Sequence, residues 1–298
     1  MTTLRQMAIF VKLADTGNMG EAAVALGLTQ PALSQQLRAL ETRLDLKLFD
    51  RVPKGLELTP AGRQLVDDAR AVVSASRDFR DAADHVLKRH AGSIRFGVSP
   101  TLGPYLMPRV IRVLHERYPE LRLFIREGIP DRQQAELVAG ELDMILSPIP
   151  VRGKGLHIEP LFREPLRIVA PPDDPLVVKG DISASDLAGR TFLTLDHRHH
   201  YHRQLEEICE ELGATILGDY QGTSLDALQQ MVGSGVGLAV LPQFYLLSEA
   251  GGFKVVQIAE PEGWKRHRSI AAAWRSKAAY AELYGEVARI IAEEGRSA

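Results

Sequence analysis

An α/β fold with a helical N-terminal portion is what this 298-residue sequence predicts, on three observations. Two short amphipathic helices meet at a glycine within residues 18–44, NMGEAAVALGLTQPALSQQLRALETRL. A heptad-spaced helical run follows over about 60–90, broken by no proline after Pro60 and no glycine after Gly62. From residue 93 onward short apolar strands alternate with helices, the order that builds parallel sheet covered by helices.

Taken in order, Leu4, Met7, Ala8, Val11 and Ala14 recur at helical spacing and predict a first amphipathic helix. Asn18 followed by Glu21 has the spacing of a capping box, a side-chain acceptor with a carboxylate reaching back. Ala22, Ala23 and Leu26 form a short apolar face, and Gly27 permits the left-handed turn that ends a helix. Thr29 is the next N-cap, with Pro31 in the first turn, where its missing N–H costs nothing. Leu33, Leu37, Leu40 and Leu44 then make one buried stripe. The opposite face carries Gln30, Ser34, Gln35 and Arg38, residue types that hydrogen-bond phosphates and base edges in a major groove. Small residues in a tight helix pair also occur in many helical proteins; the amide- and arginine-bearing outer face is what points to DNA.

Residues 49–59, FDRVPKGLELT, read as a short hairpin turning at Pro-Lys-Gly, a wing whose Arg51 and Lys54 reach the backbone or minor groove. Thr59 caps the long helix that begins at Pro60. Its Leu65, Ala69, Val72, Ser76, Phe79, Ala83 and Val86 alternate +4 and +3 steps, a narrow seam that predicts a partner chain. Gly92 marks a boundary. SIRFGV, LRLFIRE and MILSPI are strands separated by helices, and residues 158–172 form a long strand leaving that first sheet. Residues 183–242 repeat the alternation, and RSIAAAW with the helix 278–294 returns. Two lobes joined by a two-strand hinge follow, with small molecules expected in the cleft at the carboxyl ends of strands. The expected domains are 1–59, 60–91 and 92–298, the last with lobe I over about 92–163 and 267–298 and lobe II over about 164–266.

Residues 1–91 carry a net charge of +2 and the remainder −4, so no strongly basic domain exists. Phosphate contacts must come from local placement, with Arg5, Arg38, Arg43, Arg51 and Lys54 as candidates, and binding should be salt-sensitive. The single cysteine, Cys209, excludes an intramolecular disulfide and fits a reducing, cytoplasmic setting. No apolar run has the length to cross a bilayer, and no signal-peptide pattern opens the chain. A nucleophile elbow, a phosphate loop and metal-hydrolase spacing are all absent, which argues against an enzyme and calls for no cofactor.

Residues 1–62 resemble the winged helix-turn-helix of LysR-type transcriptional regulators. The resemblance is carried by Ala22-Ala23, Leu26, Thr29-Gln30-Pro31-Ala32-Leu33-Ser34, Leu40-Glu41, Leu44, Leu48-Phe49, Arg51 and Leu58-Thr59-Pro60-Ala61-Gly62. Beyond residue 92 the chain is similar to the periplasmic-binding-protein-like effector domain of that family, in its peroxide-sensing OxyR branch. SPTLGPYLMP (99–108), REPLRIVAPPDDP (163–175), DLAGRTFLTLD (186–196) and TSLDALQQMVGSGVGLAVLP (223–242) carry this part. The resemblance implies a homodimer or homotetramer on double-stranded promoter DNA, a small-molecule effector in the interlobe cleft, and RNA polymerase as a candidate further partner.

The resemblance also marks a departure. In the peroxide sensors two cysteines lie nine residues apart; here Cys209 matches the second and His200 stands at the first. Imidazole cannot follow the sulfenic-acid route to a disulfide. Pro130 replaces a second polar residue of the relatives' site. The expected effector contacts are Ser99, Pro100, Thr101, Ser147, His199, His200, His202, Thr223 and Ser224, with a small organic anion as ligand because helix starts favour anions. The alternative is an oxidant- or metal-responsive regulator using Cys209 or the His197–His202 cluster. Those histidines read first as a polar loop or helix start lining the cleft, with a pH- or anion-responsive site as an alternative, and Cys209, spaced with Leu205, Ile208 and Leu212, reads as a buried structural thiol.

Overall fold

Thr3 opens the first helix with a capping box, its hydroxyl accepting from Gln6 N while the Gln6 side chain accepts from Thr3 N. The computed structural model describes residues 2–53, 55–86, 93–222, 224–248 and 255–296, so Lys54, Thr223 and the Gly92 boundary lie outside the described residues. Two compact units emerge, one of residues 1–89 with 138–141, the other of 90–137 with 142–298.

In the first unit α1 (Leu4–Thr16) buries Ile9, Phe10, Val11 and Leu13. Leu4, expected in the stripe, is exposed. Packing against α2, α3 and α4 at once widens the buried sector beyond the one-sided stripe that the spacing predicted. α2 (Met19–Ala25) starts at Asn18, whose side chain accepts from Gly20 N and Glu21 N at 2.8 and 3.2 Å. The reciprocal half of that box is missing, because Asn18 N donates to Thr16 Oγ1 instead. Gly27, at φ 62°, makes the turn, and Thr29 caps α3 (Gln30–Leu44) through Ala32 N. Leu33, Leu37 and Leu40 are buried, but Leu44 is exposed because the last turn of α3 runs past the core.

The wing is β1 (Phe49–Val52) against β2 (Gly55–Leu58), antiparallel with Phe49 opposite Leu58. α4 (Pro60–Val86) follows, and here the single seam divides. Val66, Ala69 and Val73 are buried in the core they share with α1 and α3, whereas Val72 and Phe79 are 43% and 75% exposed. The first half of α4 therefore completes its own domain's core, and its other face remains open to solvent.

The second unit has two cores. Lobe I begins with β3 (Ser93–Val98), α5 (Gly103–Arg117), β4 (Arg122–Glu127), α6 (Pro130–Val138) and β5 (Met144–Pro148). β3 lies between β4 and β5, parallel to both. β6 (Leu156–Ala170) then runs out of lobe I as its length predicted. Lobe II holds α7 (Ala184–Leu187), β7 (Thr191–Leu195), α8 (His200–Leu212), β8 (Thr215–Gly222), α9 (Leu225–Gly233), β9 (Ala239–Pro242), α10 (Gln243–Leu247) and β10 (Val256–Gln257). β11 (His267–Arg275) returns to pair with β5 and β6, and α11 (Ala281–Arg296) covers the lobe I sheet. β6 pairs with β11 from Leu156 to Pro165, then with β9 and β10 from Leu166 to Ala170. One strand thus serves both lobes, and β6 and β11 are the hinge.

Candidate DNA-binding surface and effector cleft

The α3 face away from Leu33, Leu37 and Leu40 presents Gln30, Pro31, Gln35 and Arg38 exposed and Ser34 half-buried. The neighbouring Gln36 is engaged behind this face by Gln6, whose carbonyl also accepts from Arg43. Those bonds fix how α3 rotates on α1, and therefore which side chains face outward. Arg51 is exposed on the wing strand. Amides, a hydroxyl and a guanidinium on one accessible helix face can donate and accept at base edges, while Arg51 can only donate, as a phosphate contact requires.

The cleft of the second unit is built around Arg268, which sequence reasoning missed. Its guanidinium is buried, with Nε 2.7 Å from Glu164 Oε2. Glu164 is its cross-strand partner in the β6–β11 register, and its other oxygen accepts from Phe244 N. Arg268 Nη1 donates to Thr101 Oγ1 at 2.6 Å and Nη2 to Thr101 O at 2.7 Å. Ser99 Oγ lies 3.1 Å from Thr101 Oγ1. From lobe II, His199 and His200 at the start of α8 and Gln204 one turn on close the cavity, together with Tyr201, Pro130 and Pro148. The cavity is small: about 10 Å³ is open to the centre of a water-sized sphere, room for roughly one water molecule.

Of the predicted contacts, Ser99, Thr101, His199 and His200 come together in this cavity. The other described ones, Pro100, Ser147, His202 and Ser224, are not among its lining residues. Pro100 sits half-buried beside them. Ser147 is fully buried and donates to Pro148 O. Ser224 serves as the N-cap of α9, accepting from Ala227 N. His202 Nδ1 meets Thr194 Oγ1 at 3.1 Å, and its Nε2 faces Glu206. His197 points to solvent beside Asp196. The four histidines diverge because successive positions at a helix start point to different sides, and among the described residues no three metal-ligating groups converge.

Burial lowers the pKa of His200, with Arg203 and Arg268 adding to the effect, and burial likewise dominates the lowering at His199. Both imidazoles are therefore neutral near pH 7, and Arg268 is matched by Glu164, so the cavity carries no uncompensated charge. Cys209 lies in the lobe II core, far down α8 from His200, and burial pushes its thiol up to about 11. The lobes meet directly across the cleft: Tyr105 donates to Asp226 at 3.2 Å, Arg203 to Asp131 at 3.3 Å and Gln204 to the His267 carbonyl.

An accessible recognition face in one unit and a hinged two-lobe cleft in the other define a DNA-binding regulator with a ligand-responsive half. The chain belongs to the LysR family of bacterial transcriptional regulators. Residues 4–63 match the lysR-family bacterial regulatory helix-turn-helix protein and residues 88–295 the LysR substrate binding domain. The family consists of regulators, not enzymes. Among its relatives are a probable hydrogen peroxide-inducible genes activator of Streptomyces viridosporus, 33% identical over 99% of this chain and 95% of that one. The DNA-binding transcriptional dual regulator OxyR of Escherichia coli K12 is 30% identical over 97% and 94%. Among solved structures, a full-length OxyR variant from Pseudomonas aeruginosa superposes with a TM-score of 0.75 at 28% identity, covering 98% of this chain and 95% of that one. A hydrogen-peroxide-bound OxyR mutant from Corynebacterium glutamicum gives 0.65 at 28% identity, covering 100% and 94%. No helix among the described residues is long and apolar enough to cross a membrane.

Proposed function

We propose that this regulator dimerises along the open face of α4 and contacts promoter DNA through Gln30, Pro31, Ser34, Gln35, Arg38, Arg51 and Lys54. Its cleft takes an uncharged, hydrogen-bonding molecule of water or peroxide size and reports it through lobe closure. The observation that carries this reading is the cavity itself, which holds about one small molecule between internally neutralised groups. The small organic anion expected from Ser99 and Thr101 is poorly served there: it needs more room and a positive charge that Glu164 has already taken. Thr101 Oγ1 and Ser99 Oγ, oriented by Arg268, and the neutral His200 supply donors and acceptors for a hydroxyl-bearing guest. The relative from Corynebacterium glutamicum, solved with hydrogen peroxide, is in keeping with this class of ligand. A disulfide relay is not part of the reading, since the chain's one cysteine is buried.

The test is a footprint on the region upstream of the protein's own gene, with and without hydrogen peroxide, repeated after catalase removes it. The expected result is a two-fold-symmetric protected site that changes with peroxide and reverts on its removal with no thiol reductant. The same change should occur in Cys209→Ser and be lost in Thr101→Val. A protected site indifferent to peroxide would overturn the ligand while leaving the promoter-binding reading intact.

A further inference from the structure

A second cavity, of about 520 Å³, lies at the hinge. It has the size of an ordinary small-molecule site, which the cleft does not. Strand alternation turns Arg163 and Arg167 to the face of β6 opposite Glu164. Both line this groove with Gln243, Arg296, Phe162 and Phe244. Those rings meet edge to face, 5.5 Å apart. The end of α11 reaches the groove only because residue 295 is glycine: a Cβ there would fall 2.3 Å from the Phe162 ring.

The charges do not balance. Arg167 is held by Glu260 at 2.9 Å and by Gln243 at 2.7 Å. Arg296 donates to a carbonyl, Leu161 O, and Arg163 is exposed. Neither Arg163 nor Arg296 has a carboxylate partner among the described residues. Two guanidinium charges beside an aromatic floor are the complement of an anion with an apolar body.

We propose that this hinge groove binds an organic carboxylate, with its apolar body on Phe162 and Phe244 and its head between Arg163 and Arg296. The organic anion that the sequence placed in the cleft belongs here. The groove also touches the cleft through a continuous chain of contacts. Phe244, which lines the groove, donates its N–H to Glu164, which accepts from Arg268, which donates to Thr101. A ligand held by Arg163 and Arg296 sits beside the point where β6 passes from one lobe's sheet to the other, so it binds open and closed lobes unequally.

Titration calorimetry of the full-length dimer with phenylacetate tests this, using acetate and 2-phenylethanol as head-only and body-only controls. Phenylacetate should bind saturably at about millimolar concentration or tighter, with both controls at least about tenfold weaker. Arg163→Gln with Arg296→Gln should weaken it by at least about tenfold, the loss expected for charge-assisted hydrogen bonds, with the promoter footprint unchanged. Thr101→Val, which disables the cleft, should leave the affinity within about threefold. Absence of saturation by about 10 mM would overturn the proposal, as would indifference to the double arginine variant. Loss of binding in Thr101→Val alone would place the carboxylate in the cleft instead.

Discussion

Arg268 and Glu164 are each nearly solvent-free, at 4% and 1% side-chain exposure. Removing one partner leaves the other charged in a low-dielectric interior, which costs about 3–5 kcal/mol. Arg268→Met should lower the unfolding free energy of the full chain by about that amount, and Arg268→Met with Glu164→Gln should recover most of it. Equal loss in the single and double variants, by denaturant unfolding, would contradict the account. His200 gives a pH prediction of definite sign. Its folded pKa lies below the ordinary 6.5, so the unfolded chain binds the extra proton more readily. Stability is full above that ordinary value and falls as the pH drops below it. Lowering the pH from about 7 to about 5 should destabilise the protein, and His200→Gln should make that decline shallower. His199 shifts in the same direction and retains part of the slope. Neither the ion pair nor the histidine environment was legible in sequence. Glu164, the one acidic residue inside LFREPLRIVA, and an arginine heading the otherwise apolar RSIAAAW were the available signal.

Helices and strands follow the sequence closely wherever local chemistry decides them. Asn18, Gly27, Thr29 and Pro31 set the ends of α2 and α3, because caps and turns depend on residues within one helical turn. Arg38 stands exposed on α3, so Arg38→Ala should weaken promoter binding, by about 1–3 kcal/mol if it meets a base and with a shallower salt dependence if it meets phosphate. Footprint titrations at several salt concentrations separate these, and an unchanged footprint removes Arg38 from the interface. The long helix α4 was read correctly as a helix and only partly as a seam. Periodicity reports which residues want burial, not what buries them, and α1 takes Val66, Ala69 and Val73. The exposed remainder makes a sharp prediction. Phe79→Glu should shift the protein from dimer towards monomer in sedimentation, since a charge would replace a ring that is 75% exposed on the open face.

At the scale of the whole molecule, the proposed function rests on a two-lobed unit whose lobes share the strands β6 and β11. Tyr105 donates to Asp226 across the cleft at 3.2 Å, in addition to the Arg203–Asp131 and Gln204–His267 contacts between the lobes. Tyr105→Phe should loosen closure and weaken the peroxide dependence of the footprint while leaving basal promoter protection in place. Oxidant chemistry at the thiol is not expected: Cys209 is buried with its pKa raised, and thiolate is the reactive form. Alkylation of the native protein should proceed no faster after peroxide treatment than before, by mass spectrometry. Rapid oxidation of Cys209 would require the core of lobe II to open.

By itself the sequence determined what depends on neighbours along the chain: the helix pair and its caps, the wing, the alternation of strands and helices, the long outgoing strand and the returning one. It also determined, through one cysteine with His200 nine residues before it, that no intrachain disulfide can form. Tertiary structure alone decided which residues share a cavity. Strand register set Glu164 beside Arg268, and the meeting of the two lobes set the size of the space beside Thr101. Whether a ligand meets a charge depends on partners more than 100 residues away, as Arg268 and Glu164 are. That is why sequence alone could not distinguish the neutralised charge at the cleft from the two arginines without a carboxylate partner at the hinge groove.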